Sequence, residues 1–147
     1  MENLGAVLRI VAAKQTLPGA LLPILHQIQE ELGHIPPESV PLIAKELNLS
    51  RAEVHGVITY YPHFRQTPPG RHVVRVCCAE ACQAVGGEAL AAHARARLEG
   101  SDLTLEPVYC LGLCAIGPAL QIDETRLHAR VTPETFDALM DALEAGQ

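Results

Sequence analysis

The chain has 147 residues, a net charge of −6 and only two lysines, which argues against nucleic-acid binding because phosphate contacts rely on clustered Lys and Arg. Its length suits one domain or two small ones, and its composition, 48% hydrophobic but only 3% aromatic, predicts an aliphatic core. No signal peptide is visible and no apolar run approaches the ~20 residues that span a bilayer. We therefore expect a cytoplasmic protein without membrane contact, in which thiols stay reduced.

Four helices are predicted in the first part of the chain, over residues 1–61. Apolar residues at helical spacing mark the first two, at Leu4, Val7, Leu8 and Val11 and at Leu21, Leu25, Ile28 and Leu32. Gly33 is a plausible stop for the second helix, and Asn48 can take the left-handed conformation that ends the third. Ser50 and Glu53 form a capping box that opens the fourth helix, which runs to Tyr61. These elements predict a small helical bundle.

Residues 62–71 are rich in proline and are predicted to form a linker, and the pattern then changes to alternating strands and helices over residues 72–147. The predicted elements are a strand at 72–76, a helix at 89–98, a strand at 103–109, a hairpin at 118–123 and 127–131, and a last helix. Thr132 is the expected N-cap of that helix, with Pro133 at its first position. The order β-α-β-β-β-α is that of a thioredoxin-like sheet, so the fold class is α/β with a mixed sheet.

Five cysteines carry most of the chemical information in the chain. Cys77 and Cys82 form one close pair, Cys110 and Cys114 form a second, and each pair is followed by glycine. Cys78 stands beside the first pair. Paired thiolates on glycine-bearing loops can converge on one soft metal centre, and an odd cysteine count in a reduced compartment favours metal or redox chemistry over disulfides.

The spacing alone leaves four interpretations of these cysteines open. An iron–sulfur cluster needs four thiolates, and glycines let backbone amides approach its sulfides. A structural zinc site also needs four thiolates, with two to four residues between paired ligands. The second pair has this spacing, and the first has it through either Cys77 or Cys78. A dithiol redox enzyme would use Cys-x-x-Cys at a helix start, which neither pair has. Inert buried thiols are common singly, but four in paired loops are harder to explain that way.

Two motifs resemble the thioredoxin-like 2Fe–2S ferredoxin family: VCCAEAC at 76–82 and CLGLCAIGP at 110–118. The helical part agrees, with LPILHQIQEELG at 22–33 and SRAEVHGVITYY at 50–61, so the resemblance covers nearly the whole chain. The family includes the 24-kilodalton subunit of respiratory complex I and equivalent subunits of NAD-reducing hydrogenases and NAD-dependent formate dehydrogenases. The Ala-Glu-Ala-Cys segment and the compact length look closest to the gamma subunit of the formate dehydrogenase.

The resemblance implies that Cys77, Cys82, Cys110 and Cys114 hold one 2Fe–2S cluster and that Cys78 is a spare thiol. It further implies an electron-transfer subunit whose helical part docks it onto a partner carrying FMN, a 4Fe–4S cluster and the NAD(H) site, beside a larger catalytic subunit. No nucleotide-binding motif and no catalytic constellation stands out, so no catalytic site is predicted on this chain. The alternative of another class is a zinc-stabilised scaffold without redox activity.

Overall fold

The computed structural model of the chain describes residues 2–146 and divides into two compact units, which meet in sequence between Pro68 and Pro69. Six α-helices and a four-stranded mixed sheet make up the regular structure of this described part. The predicted mixed α/β class is therefore confirmed. Among the described residues, no helix combines the length and the apolar content needed to cross a membrane.

The first unit contains four α-helices around one aliphatic core. Their bounds are α1 Glu2–Lys14, α2 Leu21–Leu32, α3 Val40–Glu46 and α4 Arg51–Tyr60. The helices occupy the predicted positions, while their description as a bundle stays a prediction. The fully buried side chains include Val7, Ile10, Ile24, Leu25, Ile28, Ile43 and Val54. They share helical spacing within α1 and α2, and the predicted stripes are buried in large part; Leu8, however, is exposed, and Ile10 is buried in its place.

Local signals end and begin these helices where they were expected. Gly33 has φ +77° and its N–H donates to the carbonyl of Gln29 at 2.8 Å, which closes α2. Asn48 has φ +54° two residues after the third helix ends at Glu46. At the start of α4, the Glu53 N–H donates to Ser50 Oγ at 3.1 Å and the Ser50 N–H donates to the Glu53 carboxylate at 2.7 Å. The predicted capping box is present.

The second unit has the predicted order of strands and helices. Its elements are β1 Val73–Cys77, α5 Glu88–Leu98, β2 Thr104–Val108, β3 Leu120–Ile122, β4 Arg126–His128 and α6 Pro133–Glu144. The hairpin strands are shorter than predicted, mainly at the ends far from their turn: β3 begins at Leu120, and β4 ends at His128, two residues before the left-handed Arg130. Thr132 caps α6 as expected, accepting from the Thr135 N–H at 3.3 Å.

The sheet has the strand order β2-β1-β3-β4, with β1 parallel to β2 and antiparallel to β3. A parallel pair needs a crossover connection, and α5 supplies it. Val74 and Val76 of β1 lie in the core that α5 and α6 share, with Leu90, Phe136 and Met140. Strand alternation places Cys77 outside that core, in a separate small cluster with other cysteines.

Asp123 ties the start of β1 to the turn between β3 and β4. Its carboxylate accepts from His72 Nδ1 at 2.7 Å, from the Val73 N–H at 3.0 Å and from Arg126 Nη2 at 3.1 Å. Burial raises the pKa of the Asp123 carboxyl, but the hydrogen bonds from Val73, His72 and Arg126 outweigh burial and hold the pKa below its usual value. The ionised form is thus the one that the folded state prefers.

Asp123→Asn tests this carboxylate as a source of acid-sensitive stability. Asparagine tolerates the left-handed backbone and keeps one acceptor, so the variant should fold but with a lower free energy of unfolding at neutral pH. Because the folded pKa is depressed, the contribution is complete above the unfolded pKa of about 3.9 and is lost as the pH falls through the folded pKa. Urea unfolding followed by circular dichroism should show the difference between the two proteins shrinking below about pH 4. A difference that stays constant with pH would contradict this assignment.

Candidate metal centre

Four of the cysteines lie on short segments at one end of β1 and β2. Cys77 is the last residue of β1, and Cys82 ends a single helical turn, Glu80–Cys82. Cys110 lies two residues after the end of β2, and Cys114 opens a 3-10 turn, Cys114–Ile116. Because β1 and β2 are parallel, with Cys77 paired to Val108, both strands deliver their cysteines to the same edge of the sheet.

The sulfur atoms converge closely enough to share a metal centre. The Sγ atoms of Cys77, Cys82 and Cys114 all lie within 4.8 Å of one another. Cys114 Sγ is 3.7 Å from Cys82 Sγ and 3.6 Å from Cys110 Sγ, so the fourth predicted thiol adjoins the other three through Cys114. All five cysteines are free thiols. The tertiary structure therefore brings the two sequence pairs together.

Backbone amides point at two of these sulfurs. The Gly112 N–H donates to Cys110 Sγ at 3.3 Å, in a loop where Gly112 has φ +77° and Cys110 itself has φ +94°. The backbone N–H groups of Ala79 and Cys110 donate to the Cys77 sulfur. Such donors stabilise negative charge on sulfur, and a non-glycine residue at φ +94° is a strained conformation of the kind found at functional sites.

The thiols influence one another's ionisation strongly. Burial raises the pKa of Cys77, but hydrogen bonds from Ala79, Cys82 and Cys110 outweigh burial and leave the pKa below its usual value. Hydrogen bonds with Cys110 and Cys82 raise the pKa of Cys114 to about 12. The lowered pKa of Cys77 and the raised pKa of Cys114 have one cause. Adjacent thiols cannot all ionise without a compensating cation, so they share protons. An all-sulfur set of this kind suits iron–sulfur clusters and zinc.

The Cys82 segment packs so closely against two glycines that a side chain at either position would collide with it. A Cβ atom at Gly117 would stand 2.9 Å from Cys82 Sγ, and one at Gly87 would stand 2.6 Å from the Cys82 carbonyl oxygen. Both distances are shorter than real Cβ contacts. Glycines after each cysteine pair were visible in the sequence, but which of them border a sulfur depends on how the loops fold against each other.

Cys78 is placed differently from the other four thiols. Its Sγ donates to the Val76 carbonyl at 3.5 Å, and the residue lines a cavity of about 510 Å³ whose walls include Arg95 and Tyr109. Burial, and then the negative charge of Cys77, raise the pKa of Cys78. Cys78 does not belong to the group of three sulfurs that lie within 4.8 Å of one another. The spare role expected for Cys78 stays a prediction.

Comparison with known proteins gives a family match along almost the whole chain. Residues 7–144 match the family model described as thioredoxin-like 2Fe-2S ferredoxin. The E subunit of the Pseudomonas aeruginosa NADH-quinone oxidoreductase is 32% identical over 131 residues, which cover 84% of this chain and 78% of the relative. Subunit 2 of the Thermus thermophilus NADH-quinone oxidoreductase is 29% identical over 136 residues, covering 87% of this chain and 75% of the relative.

A solved structure of an NAD+-reducing NiFe-hydrogenase in the air-oxidised state is also similar. The TM-score is 0.62 with 28% sequence identity, and the match covers 90% of this chain. It covers only 24% of the hydrogenase chain, so the present chain corresponds to about a quarter of that longer polypeptide. The family resemblance expected from the cysteine motifs is confirmed, whereas a special closeness to formate dehydrogenase stays a prediction.

Gly117→Ala tests the steric fit at Cys82. The added methyl would meet Cys82 Sγ, so we expect the variant to lose most of its bound metal while the cores of both units stay folded. Metal content per chain and far-UV circular dichroism would measure the two effects. Gly56→Ala is a matched control, because nothing lies within 4 Å of a Cβ at that helical position, and it should bind metal normally. Equal metal content in both variants would contradict the steric role of Gly117.

Proposed function

The chain belongs to the thioredoxin-like 2Fe-2S ferredoxin family, and on that premise we propose that it is an electron-transfer subunit of an NAD(H)-linked oxidoreductase complex. We further propose that Cys77, Cys82, Cys110 and Cys114 hold its one 2Fe–2S cluster. The observation that carries this is the convergence of four sulfurs from two separate loops, with Cys114 within 3.7 Å of Cys82 and 3.6 Å of Cys110. These four cysteine side chains are sufficient to hold the cluster.

The residues around the sulfurs support that role in three ways. When bound, a 2Fe–2S cluster supplies transfer of one electron at a time. The N–H groups of Ala79, Cys110 and Gly112 would stabilise the added negative charge on sulfur. Cys77 and Cys82 are fully buried, which keeps water from that side, while the exposed Cys110 leaves one side accessible to an electron partner. The chain's own contribution is thus to bind the cluster, to shield it from water and to orient it.

The relatives support an NADH-linked setting for these electrons. Their names describe subunits of NADH-quinone oxidoreductase and an NAD+-reducing hydrogenase. We propose that a partner subunit carries FMN, a 4Fe–4S cluster and the NAD(H) site, beside a larger catalytic subunit, and that residues 1–61 serve as a docking domain joined by 62–71 to the ferredoxin domain at 72–147. A one-electron carrier suits a flavin that must divide the two electrons of a hydride.

Among parent complexes, we propose NAD-dependent formate dehydrogenase as the finer assignment, on the basis of the Ala-Glu-Ala-Cys segment. Complex I and NAD-reducing hydrogenase are the alternatives that the named relatives favour. Isolation of the intact complex from its native host decides among them. The activity with NAD(H) that co-purifies with the protein would depend on formate for formate dehydrogenase, on hydrogen for the hydrogenase and on quinone for complex I. Absence of formate-dependent NAD+ reduction, with either other activity present, would rule out the formate dehydrogenase assignment.

Zinc is the second candidate, because an all-thiolate set also suits a structural zinc site. Protein purified without oxygen should contain about two iron and about two labile sulfide per chain if the cluster is 2Fe–2S. Its visible absorbance should bleach on reduction. A colourless protein with stoichiometric zinc and no labile sulfide would overturn the electron-transfer function.

The neighbouring cysteines provide a matched pair of variants. Cys77→Ser removes a sulfur from the convergent group and should abolish or strongly alter the paramagnetic signal of the reduced protein. Cys78→Ser changes a thiol that faces Val76 and the adjacent cavity, so its signal and iron content should be nearly unchanged. Electron paramagnetic resonance and iron analysis measure both. If Cys78→Ser lost the signal and Cys77→Ser kept it, the two roles would be exchanged.

A further inference from the structure

Arg75 is a buried charge directly before the cysteine site. Among residues 3–146, it is the only Asp, Glu, Lys or Arg that is buried, with 7% of its surface exposed. It lies on β1, two residues before Cys77. Burial of a charge is costly unless the fold supplies partners for it. We therefore ask what this charge does so close to a proposed ligand.

The Arg75 guanidinium lies in a row of polar side chains that crosses three strands. Its Nε donates to Glu106 Oε2 on β2 at 3.3 Å, and its Nη1 donates to Gln121 Oε1 on β3 at 3.4 Å. Its Nη2 lies 3.5 Å from Glu124 Oε1 in the turn after β3. The Glu106 side chain is 12% exposed, whereas that of Glu124 is 72% exposed. Glu106 is therefore the carboxylate that shares the buried position of Arg75.

The row of Arg75 adjoins the row of Cys77 on one face of the sheet. Side chains alternate between the two faces of a strand, so residues two apart on β1 point the same way. The register places Glu106 beside Arg75 and Val108 beside Cys77, and Cys77 and Val108 pack in the same small cluster. Residues two apart on a strand are separated by about 6.6 Å. No further row of side chains thus stands between the guanidinium and the ligand.

The loops that carry the other three cysteines offer no charge of their own. Residues 81–87 and 109–118 include no Asp, Glu, Lys, Arg or His. Glu80 lies between the first two cysteines but is exposed, so water and salt screen its charge. The ion pair of Arg75 and Glu106 is therefore the buried charge that acts on the site along the sheet.

We propose that Arg75 raises the reduction potential of the cluster and that Glu106 limits this rise. The inference rests on the proposed function, because it requires a 2Fe–2S cluster on the cysteines. Reduction adds one electron, supplied by the NAD(H)-linked partner in the complex or by an electrode in the test, and breaks no bond. The site thereby gains one negative charge, which a fixed buried cation stabilises.

The effect of the cation exceeds that of its partner because of the strand order. Arg75 lies on the strand of Cys77, whereas Glu106 lies diagonally from Cys77 on the neighbouring strand. Unit charges on the order of 10 Å apart, at an effective dielectric constant of about 20, change an equilibrium constant roughly tenfold. For a one-electron couple, a tenfold change corresponds to about 59 mV.

The experiment measures the midpoint potential of the purified full-length protein without oxygen. The potential is set electrochemically at about pH 8, where Glu106 is ionised, and the paramagnetic signal reports reduction. Arg75→Gln removes the charge and should lower the midpoint by about 59 mV, or tenfold in the equilibrium constant. Arg75→Lys keeps the charge and should stay near the wild-type midpoint. Glu106→Gln removes the opposing charge and should raise the midpoint.

Arg126→Gln is the matched control. The Arg126 side chain is 43% exposed and is paired with Asp123 at 3.1 Å, so water screens its charge and the variant should have the wild-type midpoint. Raising NaCl from about 0.1 M to about 1 M should leave the difference between Arg75→Gln and the wild type in place, because salt screens buried charges little. Iron content and circular dichroism should match the wild type in each variant.

An unchanged midpoint in Arg75→Gln, or an equal lowering in Arg75→Lys, would overturn the inference and leave Arg75 with a structural role alone. If Arg75→Gln does not fold, Glu106→Gln still decides, because a midpoint that is unchanged or lowered in that variant would overturn the inference. A wild-type protein that contains no iron and no labile sulfide would instead count against the proposed function.

Discussion

The parallel pairing of β1 with β2 is the constraint on which the cysteine site depends. Cys77 pairs with Val108, so the two strands end side by side and the loops that follow them start from one edge of the sheet. Parallel strands require a crossover, and α5 provides it while burying Leu90 and Ala94 in the core behind the sheet. The packing of that aliphatic core therefore sets where four sulfurs from distant parts of the sequence meet.

Electrostatics at this edge favours a bound cation. Thiols 3.6–3.7 Å apart cannot all ionise alone, which accounts for the lowered pKa of Cys77 beside the raised pKa of Cys114. Backbone N–H groups supply part of the missing positive charge, and they can approach because the Gly112 turn and the Cys110 backbone adopt left-handed conformations. The loops thus combine thiolate ligands with backbone N–H groups that already point at the sulfurs. A centre whose charge changes during electron transfer requires such donors.

The two sides of the site differ in a way that fits a carrier within an assembly. The inner side is closed by Cys77, Cys82 and Ala119, which are all fully buried. The outer side carries the exposed Cys110, in a loop without charged residues.

The sequence by itself determined the element order, the helix ends and the identity of the cysteines, because periodicity, Gly33 and the capping box act through neighbouring residues. The longer hairpin strands expected from the sequence were wrong, since pairing stops at Leu120 and His128 and the backbone turns left-handed at Arg130. Only the tertiary structure decided which atoms meet. The contact between Cys82 and Cys114 joins segments 32 residues apart, and that distance is set by the sheet register and by core packing, which spacing along the chain cannot measure. The residue types therefore predicted the chemistry of the cysteine site, whereas its geometry could be determined only from the fold.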